Sequence, residues 1–383
     1  MKATSVLYIP DRSAVYRMAF LNELVAREPT LTVTIAADIE PGPDGVPVFG
    51  PEDIDGRSFN WISIKNIYLR RKCVFQRGLL YAAMKSQYEV LVLWGEAHRL
   101  SSWLAAFVAK VRHKPLIIWG HGIYGRESWA IKKVRAMFYN QASLNFTYGF
   151  HGLNEMQRAG VRQPIQVIYN ALVSERDRKR LIDASPDDLE VRQVGTCERP
   201  LKLIFIGRLI ASKKLEQLAI IDPGTICQGN VTATIVGEGP EHLRLEQLFN
   251  ERWSGKIYFK PAIKDFLEAA QIIQSHDIFI SPGNIGLAAM HSLLAGTPVI
   301  THGDAKNQMP EYEVIRDGFN GALFERDSSL DLQVKINDCA DALNIGRMNP
   351  RDCKRSTERY SARNQVNIFI ESLSALGLLE QNK

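Results

Sequence analysis

Arg208 and Lys213 lie five residues apart in Phe205-Ile-Gly207-Arg208-Leu209-Ile-Ala-Ser-Lys213, on a loop that follows an apolar strand-like run. A guanidinium offers a planar bidentate fork and an ammonium a compact point charge, so together they can neutralise a diphosphate without a metal. A second phosphate-compatible element is the turn Pro282-Gly283-Asn284-Ile285-Gly286, between a predicted strand at 277–281 and a predicted helix at 287–294. Free backbone N–H groups at such a helix start favour anions. The same turn is also compatible with plain α/β packing, its glycines serving only the tight reversal. In the first half, Trp119-Gly120-His121-Gly122 ends a buried strand. Open α/β sheets hold ligands at the carboxyl ends of their strands, which aims His121 at a ligand; a histidine hydrogen-bonded within its own turn is the alternative.

The elements that position these residues read as alternating strands and helices. Strands are predicted at 6–9, 31–37, 61–68, 90–94, 115–119, 144–148 and 164–170, and helices at 10–26, 74–84, 126–142 and 151–160. The second half repeats the alternation, with a strand before the Gly207 loop, strands near 233–236, 256–259, 277–281, 298–301 and helices at 214–221, 240–250, 287–294, 332–345 and 360–378. Such alternation implies parallel, doubly wound sheets. Residues 41–56 form a loop rich in Pro, Gly and Asp, either an acceptor lid or a mere connection. The charged, apolar-poor stretch 174–200 reads as a linker between two domains.

The 383 residues suffice for two domains with their own cores, and 45% apolar with 23% charged content is that of a globular protein. No apolar run reaches the roughly 18 to 20 residues that span a bilayer. The N-terminus reads as a first strand and not as a signal sequence, so secretion is not expected. Five cysteines without C-x-x-C spacing argue for a reducing compartment and against a zinc site. The net charge of +5 is uneven: residues 61–140 hold fourteen Lys or Arg against three Glu, and the remainder is net acidic. That basic half suggests contact with an anionic surface. The helix at 126–142 has an apolar stripe of Trp129, Ile131, Val134, Met137 and Phe138. The stripe either packs in the core or lies on anionic lipid, with Arg70, Arg71 and Lys72 adding basic charge. Nucleic acid is not expected, because no helix-turn-helix, RNP or zinc module accompanies the charge.

Four blocks in order, the Gly207-Arg208-Leu209 loop with Lys213, Gly237-Glu238-Gly239-Pro240, the 282–299 turn, helix and Gly-Thr-Pro-Val, and Pro310-Glu311 to Gly321, resemble retaining GT-B glycosyltransferases of the family 4 (group 1) type. The likeness is good over 200–325 and loose elsewhere. It implies an α/β GT-B fold of two Rossmann-like domains facing across a cleft. Their bounds would be 1–173 on the acceptor side, 201–358 on the nucleotide-sugar side, and a C-terminal helix at 359–383 crossing back to the first domain. It further implies transfer of a sugar with retention to a glycan or lipid-linked acceptor, in polysaccharide or glycolipid biosynthesis, without cofactor or metal. The protein would be cytoplasmic, or peripheral on the inner membrane face.

By resemblance, Arg208 and Lys213 stabilise the leaving diphosphate, and His121 positions a hydroxyl of the transferred sugar. Gly207, Gly237, Ile263, Asn284, Ile285, Gly286, Leu287, His291, Glu311 and Glu313 would contact the donor. Tyr16, Arg17 and Gly122 would join His121 on the acceptor side, although Arg17 also fits an ordinary arginine on an amphipathic helix. Two departures stand out: the family's glutamate pair is replaced by Gly283 and His291, and Pro261-Ala262-Ile263 stands where a glycine is usual. Two other functions remain: a nucleotide-sugar epimerase on the same fold, and a non-catalytic module that binds nucleotide or an anionic surface.

Overall fold

The computed structural model describes residues 4–40, 47–54, 56, 58–69, 73–183 and 193–379. The chain forms two compact units, one of Met1–Glu175 with Ser361–Lys383 and one of Arg176–Tyr360. The Arg70, Arg71 and Lys72 cluster, and residues 41–46 of the loop weighed as a lid, lie outside the described residues.

Unit 1 contains strands β1 (Thr4–Ile9), β2 (Leu31–Ala37), β3 (Phe59–Ser63), β4 (Lys65–Leu69), β5 (Cys73–Arg77), β6 (Val90–Trp94), β7 (Leu116–Gly120), β8 (Leu144–Thr147) and β9 (Ile165–Val167). Seven of them form a parallel sheet in the order β3-β2-β1-β6-β7-β8-β9, so the strand order reverses between β1 and β6. Runs such as Val90–Leu93 and Leu116–Trp119 are buried on both faces, as strands covered by helices must be. Helices α1 (Arg17–Arg27), α2 (Leu79–Met84), α3 (Leu100–Val111), α4 (Trp129–Tyr139) and α5 (Phe150–Ala159) provide the cover. Phe20, Leu21 and Leu24 of α1 share a core with Val366, Phe369 and Leu373 of the C-terminal helix Ala362–Ala375. On the opposite face, residues of α2 to α5 pack together against Leu91 and Ile118.

Two predicted elements are corrected. The strand expected at 61–68 is divided between β3 and β4, and the helix expected at 74–84 begins as a strand, β5, paired antiparallel with β4. The sidedness of Cys73–Arg77 alternates with period two, and the left-handed Gly78 (φ 94°) separates it from α2. Both signals are shorter than the helical window that concealed them.

Unit 2 begins with α6 (Glu175–Asp183), a helix inside the stretch expected as linker. Its sheet has strands β10 (Leu201–Ile206), β11 (Val231–Val236), β12 (Ile257–Lys260), β13 (Ile278–Ser281), β14 (Val299–His302) and β15 (Gly321–Phe324). The order is β12-β11-β10-β13-β14-β15, all parallel, with the reversal between β10 and β13. Helices α7 (Glu216–Ala219), α8 (His242–Arg252), α9 (Phe266–Gln274), α10 (Ala288–Leu294), α11 (Ser329–Asn344) and α12 (Pro350–Ser356) complete it. The helix expected at 214–221 is reduced to α7 and a preceding 3-10 turn. Buried Asp277 fixes the start of β13 by accepting from Arg199 Nη2 (2.6 Å) and Lys202 N (2.9 Å).

Candidate functional site

Each unit presents a cluster of polar side chains at the point where its strand order reverses, the place where a doubly wound sheet opens a ligand crevice. In unit 2 the loop after β10 and the turn after β13 meet. Lys213 Nζ donates to Asn284 O (2.6 Å) and Oδ1 (3.1 Å), while Gly283 N donates to Lys213 O (2.8 Å). This approach depends on the glycine. A Cβ at 283 would lie 2.0 Å from Ser212 O and 2.6 Å from the Lys213 carbonyl carbon. Gly283 is therefore the residue that lets the two loops close on each other.

The turn is further pinned by Gln308, a residue that no motif singles out. Gln308 Oε1 accepts from Ile285 N (2.8 Å), and its Nε2 donates to Thr301 Oγ1 (2.9 Å) and His302 O (2.8 Å). Asn284 N donates to Ser212 O (3.3 Å). Of the four amides expected to face a phosphate, Asn284 and Ile285 are thus used within the protein, a correction to the sequence reading. Gly286 and Leu287 make no backbone N–H bond to the described residues.

Lys213 is pulled to about 8 by burial and by the neighbouring Arg208, with Glu311 acting in the opposite direction. It remains mostly protonated at pH 7. Arg208 and Glu311 thereby lie within electrostatic reach of the same ammonium; Arg208 is exposed and Glu311 buried. Glu311 Oε2 is 4.0 Å from where a Cβ on Gly286 would stand. Glu313, two residues further on the 3-10 helix Pro310–Val314, is half-buried.

Gly207 and Gly237 are in close contact: a Cβ on Gly237 (φ 145°) would meet Gly207 O at 1.9 Å. Ile263 is half-buried in the loop between β12 and α9. His291 on α10 stacks on Phe266 (4.0 Å between centroids, 13°) and places Nε2 3.0 Å from Phe266 O. A carbonyl can only accept, so Nε2 carries the proton and Nδ1 is left as an acceptor. Burial holds His291 at about 4, so it is neutral at pH 7.

In unit 1, Arg17 follows β1, Trp94 ends β6, His121 follows β7 and Tyr148 follows β8. Arg17 is 3% exposed and lies over the rings of Tyr16, Trp94, Trp119 and Tyr148 at 5.0 to 5.7 Å. Its Nη2 donates to Tyr148 Oη, and no carboxylate pairs with it among the described residues. Four ring faces take the place of a counterion. His121 is packed by Trp94, Tyr124 and Tyr148, and its Nδ1 is buried without a hydrogen-bond partner. The histidine is therefore not tied up within its own turn. Burial lowers it to about 4, Glu96 opposing and Arg17 and Arg135 assisting. Gly122 (φ 73°) turns its carbonyl to Arg135 Nη2 (2.6 Å). Trp94, Tyr124 and Tyr148 escaped the sequence reading, though the aromatic ends of β6 and β8 were visible signals. A cavity of about 700 Å³ lies instead by Thr4, Thr30, Glu89 and Lys114, at the starts of the strands, away from this cluster.

His121, His291 and His302 are each held at about 4 from an ordinary 6.5, in each case chiefly by burial. Between those values the unfolded chain binds more protons than the folded one. Stability is therefore expected to fall as the pH drops from about 6.5 toward 4, by up to about 1.4 kcal/mol per pH unit for each histidine. Urea melts at pH 7.5, 6 and 5 measure it.

The stretch that carries the loop, turn and carboxylates of unit 2 is similar to known proteins. Residues 200–341 match the family model of glycosyl transferases group 1. The matched region contains Arg208, Lys213, the Asn284 turn and both glutamates. A GDP-mannose-dependent alpha-(1-6)-phosphatidylinositol dimannoside mannosyltransferase of Mycobacterium tuberculosis is 33% identical over 115 residues, 29% of each chain. The chain spans less than half the length of the curated relatives it matches. Among solved structures, the lipopolysaccharide outer core galactosyltransferase WaaB aligns with a TM-score of 0.71 at 13% identity, over 97% of this chain and 100% of WaaB. Anabaena HepE in complex with UDP aligns at 0.66 and 17%, with the same coverages. The fold is the GT-B glycosyltransferase fold, two Rossmann-like parallel sheets with their helices.

Proposed function

We propose that the protein is a glycosyltransferase that moves a sugar, with retention and without a metal, from a nucleotide-diphosphate sugar to a glycan or lipid-linked acceptor. The observation that carries this is Lys213 docked on the Asn284 turn, with Arg208 and Glu311 in electrostatic reach. As the bond from the anomeric carbon to the diphosphate breaks, negative charge builds on the leaving oxygens. Arg208, Lys213 and the amides of Gly286 and Leu287 are the groups we assign to stabilise it, and fixed charges aimed at developing charge supply much of catalysis. They do the work a divalent ion would otherwise do.

The acceptor hydroxyl forms the new bond to the anomeric carbon, and its proton goes to the leaving phosphate, so no protein nucleophile is needed. Glu311 and Glu313 are assigned to sugar or ribose hydroxyls. His121, neutral at pH 7, is assigned to a hydroxyl of the transferred sugar; Tyr16, Arg17 and Gly122 are placed on the acceptor side. Support for a nucleotide donor comes from the group 1 match and from HepE, solved with UDP. Cell-surface polysaccharide or glycolipid synthesis, on the inner face of a membrane, fits a lipid-linked acceptor. No described helix is long and apolar enough to cross a bilayer.

A thermal-shift screen of UDP, GDP, ADP and dTDP, followed by incubation of the matching nucleotide sugar with acceptor lipids, tests the proposal. One nucleoside diphosphate should raise the melting temperature with concentration and its sugar should be transferred. Binding without release of nucleotide or transfer on any acceptor would contradict it.

A further inference from the structure

Helix α3 is inverted. The residues it buries are small, Ser101, Ser102, Ala105, Ala106 and Ala109, whereas Leu100, Leu104, Phe107 and Val111 are 46 to 64% exposed. Their spacing of four, three and four residues places them on one stripe. A surface helix ordinarily turns its large apolar residues inward, and a helix apolar all round is ordinarily covered.

Its neighbours continue the pattern. On α4, Trp129, Ile131, Val134 and Met137 are 49 to 74% exposed, which removes the core-facing one of the two alternatives weighed for this stripe; of the five residues only Phe138 is buried. On α2, Tyr81 and Met84 are exposed. The three helices lie in one layer, because their buried sides share one core on one face of the sheet and the rings of Trp103 and Phe138 join α3 to α4 at 5.1 Å. Their uncovered sides therefore set these exposed apolar residues on one face of unit 1, where large apolar residues grouped together mark an interaction surface.

We infer that this face of unit 1 docks on an anionic lipid bilayer, with Tyr81, Phe107 and Trp129 at the boundary between headgroups and acyl chains. Charge selects that occupant. Helices α2, α3 and α4 carry no Asp or Glu, and exposed Lys110, Arg112, Arg126 and Lys133 lie on or beside them. A second copy would bring the same cations against these, whereas anionic headgroups pair with them, each basic side chain adding to the attraction. Aromatic residues set among apolar and basic ones on an interfacial helix are suited to that depth. The inference rests on the proposed function only in that a lipid-linked acceptor would be met there; the surface stands on its own residues.

Flotation with vesicles of phosphatidylcholine alone, and with one-third phosphatidylglycerol, tests it. The native chain should float with the anionic vesicles, less at high salt, and a Phe107→Ser, Trp129→Ser double variant should bind at least tenfold more weakly at an unchanged melting temperature. A Lys110→Glu, Lys133→Glu variant, which leaves the apolar face intact, should lose the preference for phosphatidylglycerol. An Arg208→Ala variant should float like the native chain, which separates this surface from the transfer chemistry. Failure of the native chain to float, flotation unaffected by either double variant, or a native dimer that the Phe107→Ser, Trp129→Ser change dissociates would each overturn it.

Discussion

Replacing Arg208 or Lys213 by alanine is expected to lower turnover by about 10²- to 10³-fold, with the melting temperature nearly unchanged. Arg208 is exposed, so its removal leaves no void. Lys213 is more enclosed, and its ammonium donates to two oxygens of Asn284. Those oxygens are on a residue at the rim of the turn and can be taken by water. The expected loss is in kcat more than in KM, because the charge these residues oppose is larger in the transition state than in the bound donor. Lys213 also gives a pH signature. With its pKa near 8, donor binding should weaken as the pH rises through that value, and the weakening should vanish in Lys213→Ala. Steady-state kinetics from pH 7 to 9 on both forms decide it.

The second large effect concerns Gly283. The resemblance read from the sequence implies a glutamate at this position, so on pattern alone a Gly283→Glu variant should strengthen donor binding. The geometry implies the reverse. The new Cβ would stand 2.0 Å from Ser212 O, so the loop bearing Lys213 must move away and its backbone bond to Gly283 must break. Overpacking of this kind costs roughly 3 kcal/mol. Donor affinity should fall at least tenfold, together with the melting temperature, as measured by calorimetry and thermal denaturation. A variant that melts normally and binds nucleotide more tightly would mean that the loops are not held together as described.

The positions of the candidate site loops were legible because parallel strands buried on both faces leave long apolar runs, as at 90–94, 115–119 and 277–281. Residues just past such a run sit at a strand's carboxyl end, and this located Arg208, Asn284 and His121. The internal use of the Asn284 and Ile285 amides was not legible. It depends on Gln308, more than twenty residues downstream, and on the Ser212 carbonyl, and neither leaves a local mark. His291 could be named but not interpreted, since its partner is a backbone carbonyl at Phe266. The exposed stripe on α3 was missed for a different reason: no helix was read between the strands at 90–94 and 115–119, and only packing shows that the small side of Leu100–Val111 faces inward.

The proposed chemistry depends on one diphosphate being held by the loop after β10 and the turn after β13 together. A crystal structure of the protein with its nucleoside diphosphate tests this most directly. The β-phosphate should lie within about 3 Å of Lys213 Nζ and the Gly286 or Leu287 amide, with the Arg208 guanidinium on the same phosphate. A nucleotide whose phosphates lie beyond the reach of Lys213, or against unit 1 alone, would contradict it.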